Sequence, residues 1–248
     1  MKNLLSVDWD YFFPCGDWYD WGHSENKALY LEWIWQVRAG NVHLGTGKPA
    51  LEHFVPREKE LATFWKKVCP KNPNLIIIAD SHSDIKFVLG MGGWTVWNFD
   101  AHHDIRYGKR EKNPEFRCDN WADVGRRRKK IDKYNLVYPE WRKEDKETIP
   151  KRFPVNIFYG IPKDLPVFDA IFICRSSAWI PTWWDTRWIK FIEYWKKDKH
   201  LWKHKVSCDF ALKVRSPNMK QAEELAKEQK KQREEMKAQL LKEGKTLL

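Results

Sequence analysis

Cysteine is scarce and scattered. Five residues, Cys15, Cys69, Cys118, Cys174 and Cys208, are spread over 248 positions with no CxxC pair. An odd number at such spacings excludes a disulfide scaffold and a zinc ribbon, and the expectation is a reduced, cytoplasmic protein. Long apolar runs are also missing, since none approaches the ~18 residues of a membrane-spanning helix. The start, MKNLLSVDWDYFF, places aspartates within its first ten residues and lacks a small-residue cleavage site, so no secretory signal is expected. No internal repeat is visible. Glycines near 90–93 form no phosphate loop, and no Ser/His/Asp triad follows from the order of residues.

What remains is a basic, globular composition: 42% hydrophobic, 32% charged, net charge +11. The positive charge invites a nucleic-acid partner. It sits, however, in runs at 126–130, at 196–205 and in a Lys/Glu-rich tail, a distribution more typical of solvated surface. Sixteen tryptophans are spread along the chain without a fixed period, which assigns most of them to core or pocket wall.

Continuous apolar runs at 4–7, 75–79, 95–99 and 170–174 predict buried parallel strands, with a further candidate at 155–159. Helical patterns lie between them at 27–37, 57–68 and 185–197, the first after the N-cap candidate Ser24 and the second after Pro56. The alternation predicts an α/β fold with a mostly parallel sheet. Residues 105–150 read as a long polar excursion holding one helix near 122–134. From Met219 the composition turns to Lys, Glu, Gln, Ala and Leu and predicts a terminal helix. The expected division is one α/β domain over 1–218 and a charged helical tail over 219–248.

Chemistry is expected at the carboxyl edge of such a sheet. Three candidate strands end there in acids and histidines: Asp8 and Asp10 in LSVDWDYFFP, Asp80, His82 and Asp84 in IIIADSHSD, and Asp100, His102, His103 and Asp104 in VWNFDAHHD. Carboxylates gathered at one edge repel one another, so some must take up protons or cations. Carboxylate and imidazole without thiolate suit Mn, Fe, Zn or Mg. Asp8, Asp10, Asp100 and Asp104 would balance two divalent ions with His82 and His102 neutral. Two such ions ~3.5–4 Å apart activate water, so hydrolysis is the chemistry to expect. His103 is as readily a structural or supporting histidine. Cys174 reads as core, and Asp209, in VSCDFAL at a further candidate strand end, as a turn or cap before a ligand.

DAHHD resembles the DAHxD motif of the arginase-like ureohydrolase superfamily. SVDWDYFFP is similar to that superfamily's SxDxDxxDP segment, and DSHSD to the segment with its first histidine ligand. The closer likeness is to the UPF0489 group and the peptide arginases. The resemblance implies a three-layer arginase-like fold and a dinuclear manganese site, two Mn2+ per chain. One ion would be held by His82, Asp100, Asp104 and Asp8, the other by Asp100, His102, Asp8 and Asp10, with Asp8 and Asp100 bridging. It further implies a metal-bridging hydroxide that attacks a guanidinium carbon, releasing urea and an ornithine-like amine.

The chain departs from the pattern in four ways, one being that Phe13 stands where the family's aspartate would precede Pro14. The DxD motif comes first, so the order is permuted. The stretch after DAHHD, Asp119-Asn120-Trp121-Ala122-Asp123, lacks the shuttle histidine of free-arginine enzymes, and their anchoring glutamate has no match. Candidates for these roles are His23 or Glu25, as proton shuttle or substrate anchor, with a surface loop capped at Ser24 as the alternative. Asn120 is a candidate hydrogen-bonding partner for substrate. Arg175 would either bind a substrate carboxylate or phosphate or form a structural salt bridge. The expected partner is a small guanidino compound or an arginine-containing peptide. A metal-dependent phosphodiesterase or nuclease and a non-catalytic metal- or peptide-binding protein are the alternatives. No membrane is expected, and a homo-oligomer stays open.

Overall fold

In the computed structural model, six strands form one sheet: β1 (Lys2–Asp8), β2 (Leu75–Ala79), β3 (Trp94–Phe99), β4 (Ile131–Tyr138), β5 (Asn156–Tyr159) and β6 (Ala170–Cys174). The structure describes residues 2–14, 55–109, 111–144, 146–151, 153–177, 179–196, 209–216 and 218–243. The helical pattern at 27–37 and the loop with His23 and Glu25 lie outside the described residues. Every pairing is parallel and the spatial order is β2-β6-β1-β3-β4-β5.

Both faces of this sheet are covered, which is why its strands are apolar at successive positions rather than alternating. Leu5 and Val7 of β1, Ile76 and Ile78 of β2, and Ile171 and Ile173 of β6 point into one core. That core is closed by α1 (Glu58–Val68), through Leu61, Phe64 and Trp65, and by α4 (Asp185–Lys196), through Trp188, Phe191 and Ile192. Leu4, Ile77, Val96, Leu136 and Phe172 point the other way, against α2 (Lys86–Leu89) and α3 (Trp121–Arg127). The result is a three-layer α/β/α arrangement with a wholly parallel sheet. Trp9 shows where the aromatics went: fully buried, it meets Phe12, Phe13, Trp188 and Phe191 at ring-centroid distances of 5.0–5.7 Å.

The stretch 105–150 is not an excursion. Its helix stops at Arg127, short of the expected 134, and β4 follows at once. The turn between them runs through Lys129, whose φ of 56° is left-handed and ends the helix. β4 escapes sequence reading because IDKYNLVY is interrupted by polar residues. Asp132 and Lys133 are exposed at its start, whereas Asn135 is buried and donates to the Val96 carbonyl at 3.1 Å. In VSCDFAL, the candidate strand before Asp209 lies outside the described residues, and Asp209 itself opens a 3-10 turn, Asp209–Leu212, in keeping with the turn reading.

The terminal helix, α5 (Met219–Lys242), begins with a capping box between Asn218 and Gln221. Its first turn packs on the core through Ala222, which is fully buried, and Met219. Beyond Glu223 the described side chains are exposed except for the half-buried Leu240.

Candidate metal centre

Register in a parallel sheet decides which strand ends meet. Asp8 pairs with Cys174, Cys174 with Ala79, and Val7 with Phe99, so the residues that follow these strands leave the sheet at one level. Asp8 closes β1 and caps the 3-10 turn Trp9–Phe12, accepting the Asp10 amide at 3.3 Å, which swings Asp10 to the same edge. After β2, Ser81 caps the 3-10 turn His82–Ile85 and turns His82 inward. After β3, the Asp100 amide bonds to the Val137 carbonyl, and Asp104 adopts a left-handed φ of 50°. Strain of that kind in a non-glycine residue costs roughly 1–2 kcal/mol and persists where the surroundings enforce it.

Six of these side chains form two groups. Asp8, His82, Asp100 and Asp104 make the first, and Asp10, Asp100 and His102 the second, with Asp100 common to both. In the first group, Nδ1 of His82 lies 3.0 Å from Asp8 Oδ2, 3.3 Å from Asp100 Oδ2 and 2.9 Å from Asp104 Oδ2. One imidazole nitrogen carries at most one hydrogen and cannot serve three acceptors. A divalent ion can. At metal–ligand distances of about 2.1 Å, adjacent octahedral ligands stand about 3.0 Å apart, close to the 2.9–3.3 Å that separates His82 Nδ1 from each of the three oxygens, and all four atoms lie within 4.8 Å of one another. In the second group, Nδ1 of His102 lies 2.8 Å from Asp10 Oδ2 and 3.8 Å from Asp100 Oδ1. The buried Asp/His cluster can therefore hold metal ions. Asp8 belongs to the first group, and its second oxygen accepts the Asp10 amide, so the sharing expected of both Asp8 and Asp100 is seen at Asp100.

Each residue of the first group has a neutral side-chain partner. Ser176 Oγ donates to Asp8 Oδ2 at 2.7 Å, Trp121 Nε1 to Asp104 Oδ2 at 2.6 Å, and Asn98 Nδ2 to Asp100 Oδ2 at 3.0 Å. Ser6 Oγ meets His82 Nε2 at 2.9 Å. Neutral donors aim the ligands without cancelling their charge. Among the described residues, no Lys or Arg nitrogen lies within ion-pair distance of Asp8, Asp10, Asp100 or Asp104.

Crowding of acids in a dry site moves their protonation. Burial, reinforced by Asp10, pushes Asp8 up to about 6. Burial also lifts Asp100 well above the carboxylate range, with Asp104, Asp10 and Asp8 adding to it. For His102, burial favours the neutral ring, but Asp10 outweighs it and raises the imidazole to about 10. His82 is raised likewise, as its bonds to Asp100, Asp104 and Asp8 overcome burial. These shifts favour bound protons in the metal-free cluster, and a cation held there would displace them.

The remaining candidates fall elsewhere. Arg175 is fully buried. Its Nε donates to Asp80 Oδ1 at 2.6 Å and to Ser177 Oγ at 3.2 Å, and Nη1 donates to Asp185 Oδ2 at 3.2 Å and to the Lys213 carbonyl at 2.7 Å. That is the salt-bridge alternative, and it takes Asp80 out of the metal cluster. The amide of Asn120 clamps its own loop, accepting from Arg117 N at 2.8 Å and donating to the Glu115 carbonyl at 3.1 Å. Asp119 pairs with Arg117, and Asp84 with Lys86. His103 is structural: its Nδ1 accepts the Ile105 amide, its ring stacks on Tyr107, and burial lowers its pKa. Cys174 is a core residue.

Sequence reasoning missed Asn98, Ser176 and Glu147. Asn98 was findable, because it sits two residues before Asp100 and therefore on the same strand face. Ser176 gave no sign beyond its place after a strand. Glu147 accepts hydrogen bonds from the hydroxyls of Tyr107 and Tyr138 and acts electrostatically on His102. It comes from a loop whose local sequence says nothing of the site. His102 is the opening: its side chain is 16% exposed while the other five ligands are buried, and Trp179 packs beside it at 5.0 Å. Among the described residues no helix is long and apolar enough to cross a membrane. Compared with protein-family models, curated proteins and solved structures, the chain matches none.

Proposed function

We propose that this chain is a dinuclear manganese hydrolase that cleaves a C–N bond of a guanidino group, in arginine or peptidyl-arginine, to give urea and an ornithine-like amine. The observation that carries the reading is the shared Asp100 between two Asp/His groups, one of which sets three carboxylate oxygens 2.9–3.3 Å from a single imidazole nitrogen. His82, Asp8, Asp100 and Asp104 would hold one ion, and Asp10, Asp100 and His102 the other. When bound, the pair supplies Lewis acidity and brings the pKa of water toward neutrality.

The chain's own residues do the rest. Ser176, Trp121, Asn98 and Ser6 fix the ligand orientations. Buried walls of Phe172 and Trp121 around His82 keep solvent from that side. Access would be past His102, the most exposed of the six, with Trp179 beside it; an aromatic ring there suits a planar cation. With Asp8, Asp10, Asp100 and Asp104 balanced by two divalent ions, the nearby charge left over is that of Glu147, and Arg175 is committed to Asp80, which favours a cationic substrate over a phosphodiester.

The test is release of urea and amine by Mn-loaded protein from free arginine, other guanidino compounds and blocked arginine peptides, against Asp100→Asn as control. Urea from any of them, absent in the variant, supports the reading. Hydrolysis of a labelled oligonucleotide with no urea from the panel would replace it with the phosphodiesterase.

A further inference from the structure

The connection from β6 to α4 touches both metal groups at once. Ser176 reaches Asp8 Oδ2 at 2.7 Å from a left-handed φ of 52°, and three residues on, Trp179 lies against His102. Within the segment, the Trp179 and Ile180 amides donate to the Ser176 carbonyl at 2.8 and 3.1 Å and the Ser176 amide meets Cys174 Sγ at 3.3 Å; these bonds hold the turn's own shape, and its placement against Asp8 and His102 needs a brace from outside it.

The brace comes from the far end of the chain. Arg215 is 7% exposed and forms a two-pronged pair with Asp185, Nε to Oδ2 at 2.8 Å and Nη2 to Oδ1 at 2.7 Å, while its backbone amide also donates to Oδ2 at 2.8 Å. Its remaining donors grip the connection itself, Nη1 on the Ser177 carbonyl at 3.0 Å and Nη2 on the Ile180 carbonyl at 3.1 Å. Those two carbonyls flank Trp179 and follow Ser176. Arg175, whose guanidinium shares Asp185, fixes the start of the same segment through Asp80.

We propose that Arg215 is a positioning residue of the metal centre: by clamping the Ser177 and Ile180 carbonyls it holds Ser176 on Asp8 and Trp179 on His102, so that the C-terminal segment sets the affinity for divalent metal. This rests on the reading of the Asp/His cluster as a metal site. Lysine at 215 keeps the charge opposite Asp185 but has no fork with which to hold both carbonyls and the carboxylate.

The experiment is a Mn(II) titration of the full chain, followed by the electron paramagnetic resonance of free Mn, for wild type, Arg215→Lys, Ser176→Ala and the double variant. Each single change is expected to weaken Mn binding by about tenfold to a hundredfold. The double variant should be no weaker than the worse single, because both break one linkage. Val68→Ala, a destabilising core change at the end of α1, should leave the Kd unmoved and so separates positioning from lost stability. An unchanged Kd in Arg215→Lys, or a double variant that loses the product of the singles, overturns the proposal. Should Arg215→Lys fail to fold, Asp185→Asn loosens the same anchor and must show the same loss and the same non-additivity with Ser176→Ala. Wild type that takes up no divalent ion overturns the metal centre as well. The expected pattern in a protein that releases no urea supports the positioning role and overturns only the hydrolase.

Discussion

The indole nitrogen of Trp121 donates to Oδ2 of Asp104 over 2.6 Å, and the same oxygen lies 2.9 Å from His82 Nδ1. A helix on one face of the sheet thereby aims a ligand that follows β3 at a histidine that follows β2. Trp121→Phe removes this donor and leaves part of the indole's fully buried volume empty. It should cost about 1–3 kcal/mol in stability, from the lost charge-assisted hydrogen bond and the cavity. Divalent-metal affinity should fall by about tenfold to a hundredfold. Thermal melts with and without Mn measure both.

Asp100 is common to the two groups, so its loss should empty both. Elemental mass spectrometry of protein purified without chelators should find about two Mn per wild-type chain, as two-metal sites hold, and almost none in Asp100→Asn. Full retention in the variant would remove Asp100 from the ligand set.

Protonation gives the metal-free protein an inverted pH profile. His102 is raised to about 10 in the folded state, so it binds a proton that the unfolded chain has released, and stability present below the ordinary histidine range is lost as pH climbs toward 10. Asp8, raised to about 6, works in the same direction at lower pH, its contribution fading as pH rises from about 4 to 6. Melting temperatures of chelator-treated protein should therefore fall from pH 6.5 upward. Saturating Mn should reverse the slope, since its ligands must be deprotonated.

Gly160 follows β5 with a φ of 77°, and a Cβ there would meet Glu140 Cγ and Oε1 at 2.9 Å. Alanine should cost about 1–2 kcal/mol from the left-handed backbone. Metal content should stay at the wild-type level, with a lower midpoint in urea.

How far the sequence reaches can be seen at particular elements. β1, β2, β3 and β6 declare themselves because strands buried on both faces must be apolar throughout, and the acids after them mark the carboxyl edge. β4 does not, because Asp132, Lys133 and Asn135 break the run while Asn135 satisfies itself across the sheet. The six ligand candidates follow from chemistry carried on short local motifs. Arg175 stood equally for substrate binding and for a salt bridge until Asp80 and Asp185 were placed around it.

The sequence by itself determined the parallel α/β class and the three acid- and histidine-bearing strand ends, since apolar continuity and residue chemistry are local properties. Tertiary structure alone decided which of those acids converge. Register brings Asp8, Asp100 and Asp104 onto His82 and sends Asp80 to Arg175. Contacts between positions as distant as Ser176 and Asp8, or Arg215 and Ile180, follow from strand order and packing rather than spacing, and no local pattern encodes them.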